Sequence, residues 1–189
     1  MKNILLTAFF GMLSYGVKAQ SPTYFHGTYP GWSFKQVVLP ADLLEEYSYP
    51  EGIKEVRFAP GMFDPSSDSY FSYIFLFTSP SSNMLTVQEI EQMLLTYYKG
   101  WNTMIGYKNG VLIQEEDIQV NLNGNDRELE GSIDIINGLG KGHQIQLYLE
   151  LSAYKTQDGT YRLLGLVSPK DKKAKVWEAL YEQRDQMSL

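Results

Sequence analysis

The sequence predicts an α+β fold: a single domain with a largely antiparallel β-sheet and two main α-helices packed on one of its faces. Asn-Gly and Asp-Gly dipeptides, which favour hairpin turns, recur in the second half of the chain. Segments that alternate apolar and polar residues lie between them, as in strands with one wet face. Two other stretches carry apolar residues three and four positions apart, the period of an amphipathic helix. The 189 residues are the length of one domain.

Residues 1–19 have the layout of a secretory signal peptide. Lys2 gives a positive start, an uncharged and mostly apolar run follows from Ile4 to Tyr15, and small residues precede a cleavage site before Gln20. This run is shorter than the roughly 20 apolar residues that cross a membrane. We therefore expect a secreted or periplasmic protein with no membrane insertion after leader removal.

The composition narrows the class of protein. There is no cysteine, which excludes disulfides, thiol nucleophiles and the lipid-bearing cysteine of a bacterial lipoprotein. Exported eukaryotic domains of this size usually depend on disulfides, so the composition favours a bacterial protein. Loss of Lys2 and Lys18 with the leader reduces the 16 basic side chains to 14, against 22 acidic ones, for a formal charge of −8. Nucleic-acid partners need clustered basic residues and are not expected.

Residues 20–32 are predicted to form an irregular, aromatic-rich lead-in. Glycine and proline interrupt the segment and no period is visible. Tyr24, Tyr29 and Trp32 are the candidate ligand-binding residues, because exposed rings form platforms on which sugars and other ligands stack. The alternative is that these rings close over an open end of the core. We expect Trp32 to be at least partly exposed.

Residues 33–189 are predicted to be the single α+β domain. SFKQVVL at 33–39 is a first strand, ADLLEEY at 41–47 one or two helical turns, and IKEVRFA at 53–59 a second strand. PGMFDPSSDS at 60–69 is rich in turn-forming residues and is predicted to form turns. In the aromatic stretch from Ser69 to Pro80, a strand directs Phe75 to one face and Leu76 to the other, and both faces are apolar. We predict a central strand that is buried on both sides.

The first helix is predicted from Thr86 to about Lys99. TVQE at 86–89 is a capping box, and Gly100 marks the predicted end of the helix. Hairpin turns are then expected at Asn109-Gly110, Asn123-Gly124 and Asp158-Gly159. QIQLYLELSAY at 144–154 alternates cleanly, and TYRLLGLVS at 160–168 is expected to pair with it. The last helix is predicted to start after Ser168 as N-cap.

Few residues are candidates for catalysis or for metal binding. His26 and His143 are the only histidines, and neither has the neighbours of a metal site. The glycines before His143 lack the lysine and hydroxyl residue that complete a phosphate loop. DPSSD at 64–68 lacks the EF-hand pattern, which favours two Asx-type turns over a calcium site. We therefore expect no metal and no cofactor.

These features favour a non-catalytic binding module for a small molecule, a glycan or an envelope-protein partner. The alternative is a secreted hydrolase that uses carboxylates and His143. It requires His143 and at least two of Asp134, Glu115 and Asp117 in one pocket. Whether the protein is an enzyme stays open between these two hypotheses.

Overall fold

The computed structural model describes residues 30–39, 49–81, 83–139 and 142–187, apart from the side chain of Glu115. They form one seven-stranded sheet and two α-helices, which confirms the predicted fold class. The strands are β1 (Ser33–Leu39), β2 (Gly52–Phe58), β3 (Tyr73–Ser79), β4 (Gln119–Gly124), β5 (Glu128–Ile136), β6 (Gln144–Lys155) and β7 (Tyr161–Ser168), and the helices are α1 (Val87–Asn109) and α2 (Lys175–Asp185). The predicted signal peptide, residues 20–29 of the predicted lead-in and the predicted helical turns at 41–47 lie outside the described residues.

The strands run in the order β1-β2-β3-β7-β6-β5-β4, and every neighbouring pair is antiparallel. β3 and β7 therefore lie at the centre, and β1 and β4 form the two edges. The predicted hairpin at Asp158-Gly159 is confirmed: Gly159 has a φ of +87°, and the amide of Thr156 donates to the carbonyl of Thr160 at 2.9 Å.

The central strand β3 is covered on both faces, as predicted. Phe75 is 1% exposed and Leu76 is 0% exposed. Phe75 packs with α1 on what we call the inner face, and Leu76 packs with α2 on the outer face. The expectation that both helices share one face is wrong, because an apolar strand at the centre of a sheet needs cover on each side. No helix among the described residues is long and apolar enough to span a membrane.

The capping box at the start of α1 is confirmed. The amide of Glu89 donates to Thr86 Oγ1 at 3.3 Å, and the amide of Thr86 donates to Glu89 Oε2 at 2.7 Å. The predicted end at Gly100 and the hairpin at Asn109-Gly110 are both wrong. The helix continues to Asn109 and ends at Gly110, whose φ is +69°. The extra turns bury Ile105, which offsets the cost of about 1 kcal/mol for a glycine inside a helix.

The start of α2 is also later than predicted. Ser168 is the last residue of β7, and its hydroxyl lies 2.8 Å from Ser72 Oγ and accepts from the amide of Lys170 at 3.1 Å. Residues 169–174 form bends and a turn instead of a helix, so Ser168 is not the N-cap of α2, a position that Ala174 occupies. α2 begins instead at Lys175 and is anchored where Trp177 Nε1 donates to the carbonyl of Lys170 at 2.8 Å.

Candidate functional site

The outer edge of β1 carries exposed apolar side chains. β2 pairs with one side of β1, and no strand in the described ranges lies on its other side. Phe34 and Val38 are 44% and 48% exposed. Their register, opposite Arg57 and Ile53, places both on the outer face. The other large hydrophobic residues exposed to this degree in the described chain are Tyr107 and Leu112, at the far end of α1.

The sequence of β1 has few of the features that prevent an edge strand from pairing with another strand. Such features are proline, bulges and charged side chains, above all an inward-pointing lysine. β1 is seven residues long, contains no proline and has one charge, Lys35. Lys35 lies opposite Val56 on the inner face, where burial, and after it the charge of Lys108, lower the pKa of its amine to about 8. The obstacle to pairing is therefore a single lysine that loses its charge near pH 8.

Trp32 directly precedes β1 and is half-buried. Its ring packs against the outer cluster, which α2 forms with β3 and β7. Trp32 therefore contributes to packing while part of its surface reaches solvent beside Phe34. Tyr24 and Tyr29, the other two predicted ligand-binding residues, lie outside the described residues.

Next to Phe34 and Val38 on the outer face, polar side chains of β1 and β2 form hydrogen bonds with each other and with α2. Gln36 Nε2 donates to Glu55 Oε1 at 3.0 Å, and Arg57 donates to Gln183 Oε1 of α2 at 3.4 Å. Glu55 and Arg57 are 1% and 4% exposed, so these charges are not presented to solvent. The exposed part of this edge is consequently apolar.

A cleft continues the edge beyond the end of β1. It has a volume of about 570 Å³, begins at Val38 and runs past Ile53 to Thr78. Pro80 and Thr160 close its far side. The cleft is wide open to solvent, so it can contact side chains of a bound peptide without enclosing them.

His143, Asp134 and Asp117 line neither the cleft at β1 nor the apolar cavity beneath α1, and the side chain of Glu115 lies outside the described residues. His143 is exposed in the turn between β5 and β6, and Asp134 accepts from Gln146 Nε2 at 3.0 Å on the outer face of β5. Asp117 accepts from the amide of Gln114 at 2.9 Å, in a short 3₁₀ turn just before β4. Neither His143 nor these carboxylates line the cleft at β1. Their positions give the hydrolase hypothesis no support.

The loop at 64–68 is held by its own side chains. Asp64 Oδ1 accepts from the amide of Ser66 at 2.9 Å and from its hydroxyl at 2.7 Å, which is an Asx turn as predicted. The second turn is made by a serine, because Ser67 Oγ accepts from the amide of Ser69 at 3.1 Å. Within the described ranges no group of three or more histidine or acidic side chains is placed to hold a metal ion.

An acidic pair on the outer face shares one lysine within the fold. Glu130 and Glu150 lie directly opposite each other on β5 and β6. Lys172 Nζ lies 2.7 Å from Glu130 Oε2 and 3.0 Å from Glu150 Oε1. Tyr181 of α2 also donates to Glu150, at 2.9 Å. The arrangement fastens the segment before α2 to the sheet, with one lysine shared by two carboxylates.

A second cluster was missed by the sequence reasoning altogether. Lys54 of β2 is only 3% exposed and points to the inner face, towards the aromatic residues of α1 and β3. Burial lowers the pKa of its amine well below the ordinary value of 10.5. The signal was present in the sequence, because strand alternation places Lys54 on the same face as Val56 and Phe58.

Comparison with known proteins gives no relative: no family model, curated protein or solved structure matches the chain. The functional argument therefore depends on the geometry of the described residues.

Proposed function

We propose that the protein is an exported, non-catalytic binding module, and that the outer edge of β1 binds an extended apolar segment of an envelope-protein partner. The observation that carries the proposal is the exposure of Phe34 and Val38 on an edge strand. A partner strand completes the backbone hydrogen bonds of β1 and covers these side chains at the same time. This is recognition by strand addition, in which the main chain supplies affinity and the alternate side chains supply specificity.

A protein segment fits this edge better than a sugar does. Sugar platforms need a flat ring that is free on one side, and the ring of Trp32 is partly used in the outer cluster. The edge instead offers a strand of backbone groups with two side chains four residues apart on one face. The cleft beside Val38 then takes a side chain of the partner. The acidic balance of the chain favours a partner segment without clustered acidic residues.

The probe is a synthetic peptide with the sequence of β1 itself, SFKQVVL. Paired antiparallel about Gln36, its phenylalanine lies opposite Val38 and its last valine opposite Phe34. Full burial of such side chains stabilises a complex by about 1.5–3 kcal/mol each, and about half of each surface is still exposed here. Losing both contributions should weaken binding at least about tenfold.

The variant Phe34→Ser/Val38→Ser is compared with the wild type by calorimetric or fluorescence titration of the peptide. The control is Tyr107→Ser/Leu112→Ser, which removes two large side chains that are 88% and 82% exposed and do not belong to β1. We expect the control to bind like the wild type and a scrambled peptide not to bind. Equal loss in both variants, or no binding of SFKQVVL to the wild type, contradicts the proposal.

A further inference from the structure

The apolar cavity beneath α1 lies on the inner face of the sheet and has a volume of about 40 Å³. Residues of β2, β3, α1 and the loop at 60–72 line it. The buried part of this lining is apolar or aromatic throughout: Val56, Met62, Phe71, Tyr73 and Tyr98. A single water molecule needs roughly 10–15 Å³ of such a cavity, so this one has room for a molecule of about three heavy atoms.

The other described lining residues are aromatic and partly exposed. They are Phe58, Phe63, Tyr97 and Trp101. The rings of Phe58 and Phe63 contact each other, with centroids 5.6 Å apart. Because these side chains reach both the cavity and solvent, and exposed side chains change rotamer rapidly, a small molecule can enter without unfolding of the buried core.

The lining offers little to an ion or to water. The hydroxyl groups of Tyr73 and Tyr98 bond to each other. Burial raises the pKa of both phenols, and it raises the pKa of Tyr97 to about 12, so all three are neutral at physiological pH. No charged side chain belongs to the described lining. A buried water typically makes about three hydrogen bonds, whereas an uncharged apolar molecule needs none, and this lining therefore favours the apolar molecule.

One wall of the cavity is held in a strained conformation. Phe71 has a φ of +56°, and it is the only non-glycine residue with positive φ in the described chain. Its amide donates to the carbonyl of Met62 at 2.9 Å, and its ring packs edge-on against Trp101 with centroids 5.5 Å apart. Bulky residues rarely adopt this backbone conformation, and those that do cluster where a ligand is held. The strain is an observation independent of the volume, and it coincides with the cavity.

We propose that this cavity is a binding site for a small, uncharged, apolar molecule of about three heavy atoms. The aromatic rings surround the molecule, and removal of its apolar surface from water stabilises the complex. The site is separate from the edge of β1, because its lining belongs to the inner face, whereas Phe34 and Val38 lie on the outer face. The proposal therefore goes beyond the function proposed above and does not depend on it.

The test is titration of the folded wild-type protein with cyclopropane, an uncharged apolar molecule of three carbon atoms, followed by the amide resonances of ¹⁵N-labelled protein. We expect saturable shift changes at Met62, Phe71 and Tyr98, which line the cavity, and none at Leu164 and Leu180 of the outer cluster. Benzene, which a dry cavity of about 150 Å³ accepts, should cause no saturable change at the same amides. Cyclopropane shifts that do not saturate, or that are equal in the outer cluster, overturn the proposal and identify unspecific partition.

Two matched substitutions on the inner face separate the cavity from its surroundings. Val56→Ile adds a methyl group at a lining residue and should weaken cyclopropane binding at least about tenfold, because the methyl group occupies part of a volume that fits one small molecule. Val167→Ile adds the same group to the inner-face core at a residue outside the described lining, and should bind like the wild type. Equal affinity of the two variants contradicts the proposed site.

The wild-type comparison of cyclopropane with benzene decides the question if either variant fails to fold. Saturable binding of both molecules, or of neither, contradicts a site of the proposed size. Phe34→Ser/Val38→Ser should bind cyclopropane like the wild type, so this proposal and the proposed peptide binding can fail separately.

Discussion

On the inner face of the sheet, adding a single methyl group at Gly165 should lower the stability of the protein. Gly165 of β7 lies between Phe75 of β3 and Leu151 of β6 in the strand register. A Cβ at this position would overlap Cε1 and Cζ of the Phe75 ring and lie 2.9 Å from Leu151 Cδ2. Phe75 and Leu151 are each 1% exposed, so neither side chain has open space to move into.

The substitution Gly165→Ala should therefore destabilise the protein, although alanine in a strand is ordinarily favoured over glycine by about 0.5–1 kcal/mol. Overpacking of a dense core typically costs about 1–3 kcal/mol, which exceeds that gain. Phe75→Leu removes the ring atoms that the new methyl group meets. In the double variant, the loss of unfolding free energy should then be smaller than the sum of the two single losses by at least about 1 kcal/mol.

The assay is urea unfolding of the wild type, both single variants and the double variant, followed by tryptophan fluorescence and circular dichroism. Equal m-values across the four proteins show that the midpoints report stability. Gly165→Ala without effect, or a double variant whose loss equals the sum, would refute the packing of Phe75 over Gly165.

Three further outcomes follow from the structure. Thr86→Ala removes the side-chain cap of α1 and should lower the free energy of unfolding by about 0.5–2 kcal/mol, with no loss if the cap is unimportant. Because Lys54 has a lowered pKa when folded, the unfolded state binds more protons between that pKa and 10.5, so wild-type stability should rise with pH in this range. Lys54→Met should show a smaller rise that retains the contribution of Lys35, and equal slopes would contradict this. Binding of SFKQVVL should tighten as the pH rises through about 8, where Lys35 loses its charge, and Lys35→Met should bind without this dependence.

The strands were predictable where a local pattern decides which way side chains point. β1 has the predicted bounds, and β6 buries Leu147, Leu149 and Leu151 on one face as its alternation indicates. Phe75 and Leu76 are buried on opposite faces because neighbouring side chains in a strand diverge whatever the strand order. Such patterns depend on the residues of one segment alone.

The C-terminal end of α1 and the start of α2 were not predictable from the local sequence, because contacts made elsewhere in the fold decide them. Gly100 was predicted to mark the end of α1, yet the helix continues to Gly110 and its added turns bury Ile105. Ser168 has the composition of an N-cap, yet its hydroxyl bonds across the sheet to Ser72. Ser72 lies 96 residues before Ser168, so the sequence around Ser168 does not show this contact.

Some features of the proposed site were predictable from the local sequence, and others depend on distant parts of the chain. Alternation places Phe34 and Val38 on one face of β1, but their exposure depends on β1 being an edge strand, and the strand order is not written in any one segment. Lys54 differs, because its place on an apolar face was visible in the alternation with Val56. What the sequence does not show is that α1 covers that face and encloses the amine.

The claim that β1 receives an added strand is tested most directly by hydrogen exchange of its backbone amides with and without SFKQVVL. In the free protein, the amides of β1 that point away from β2 should exchange rapidly, because no described strand bonds them. Addition of the peptide should protect these amides in residues 33–39 and leave those of the opposite edge, β4, unchanged. Unaltered exchange in β1 at saturating peptide, or protection that appears equally in β4, would contradict the proposed binding edge.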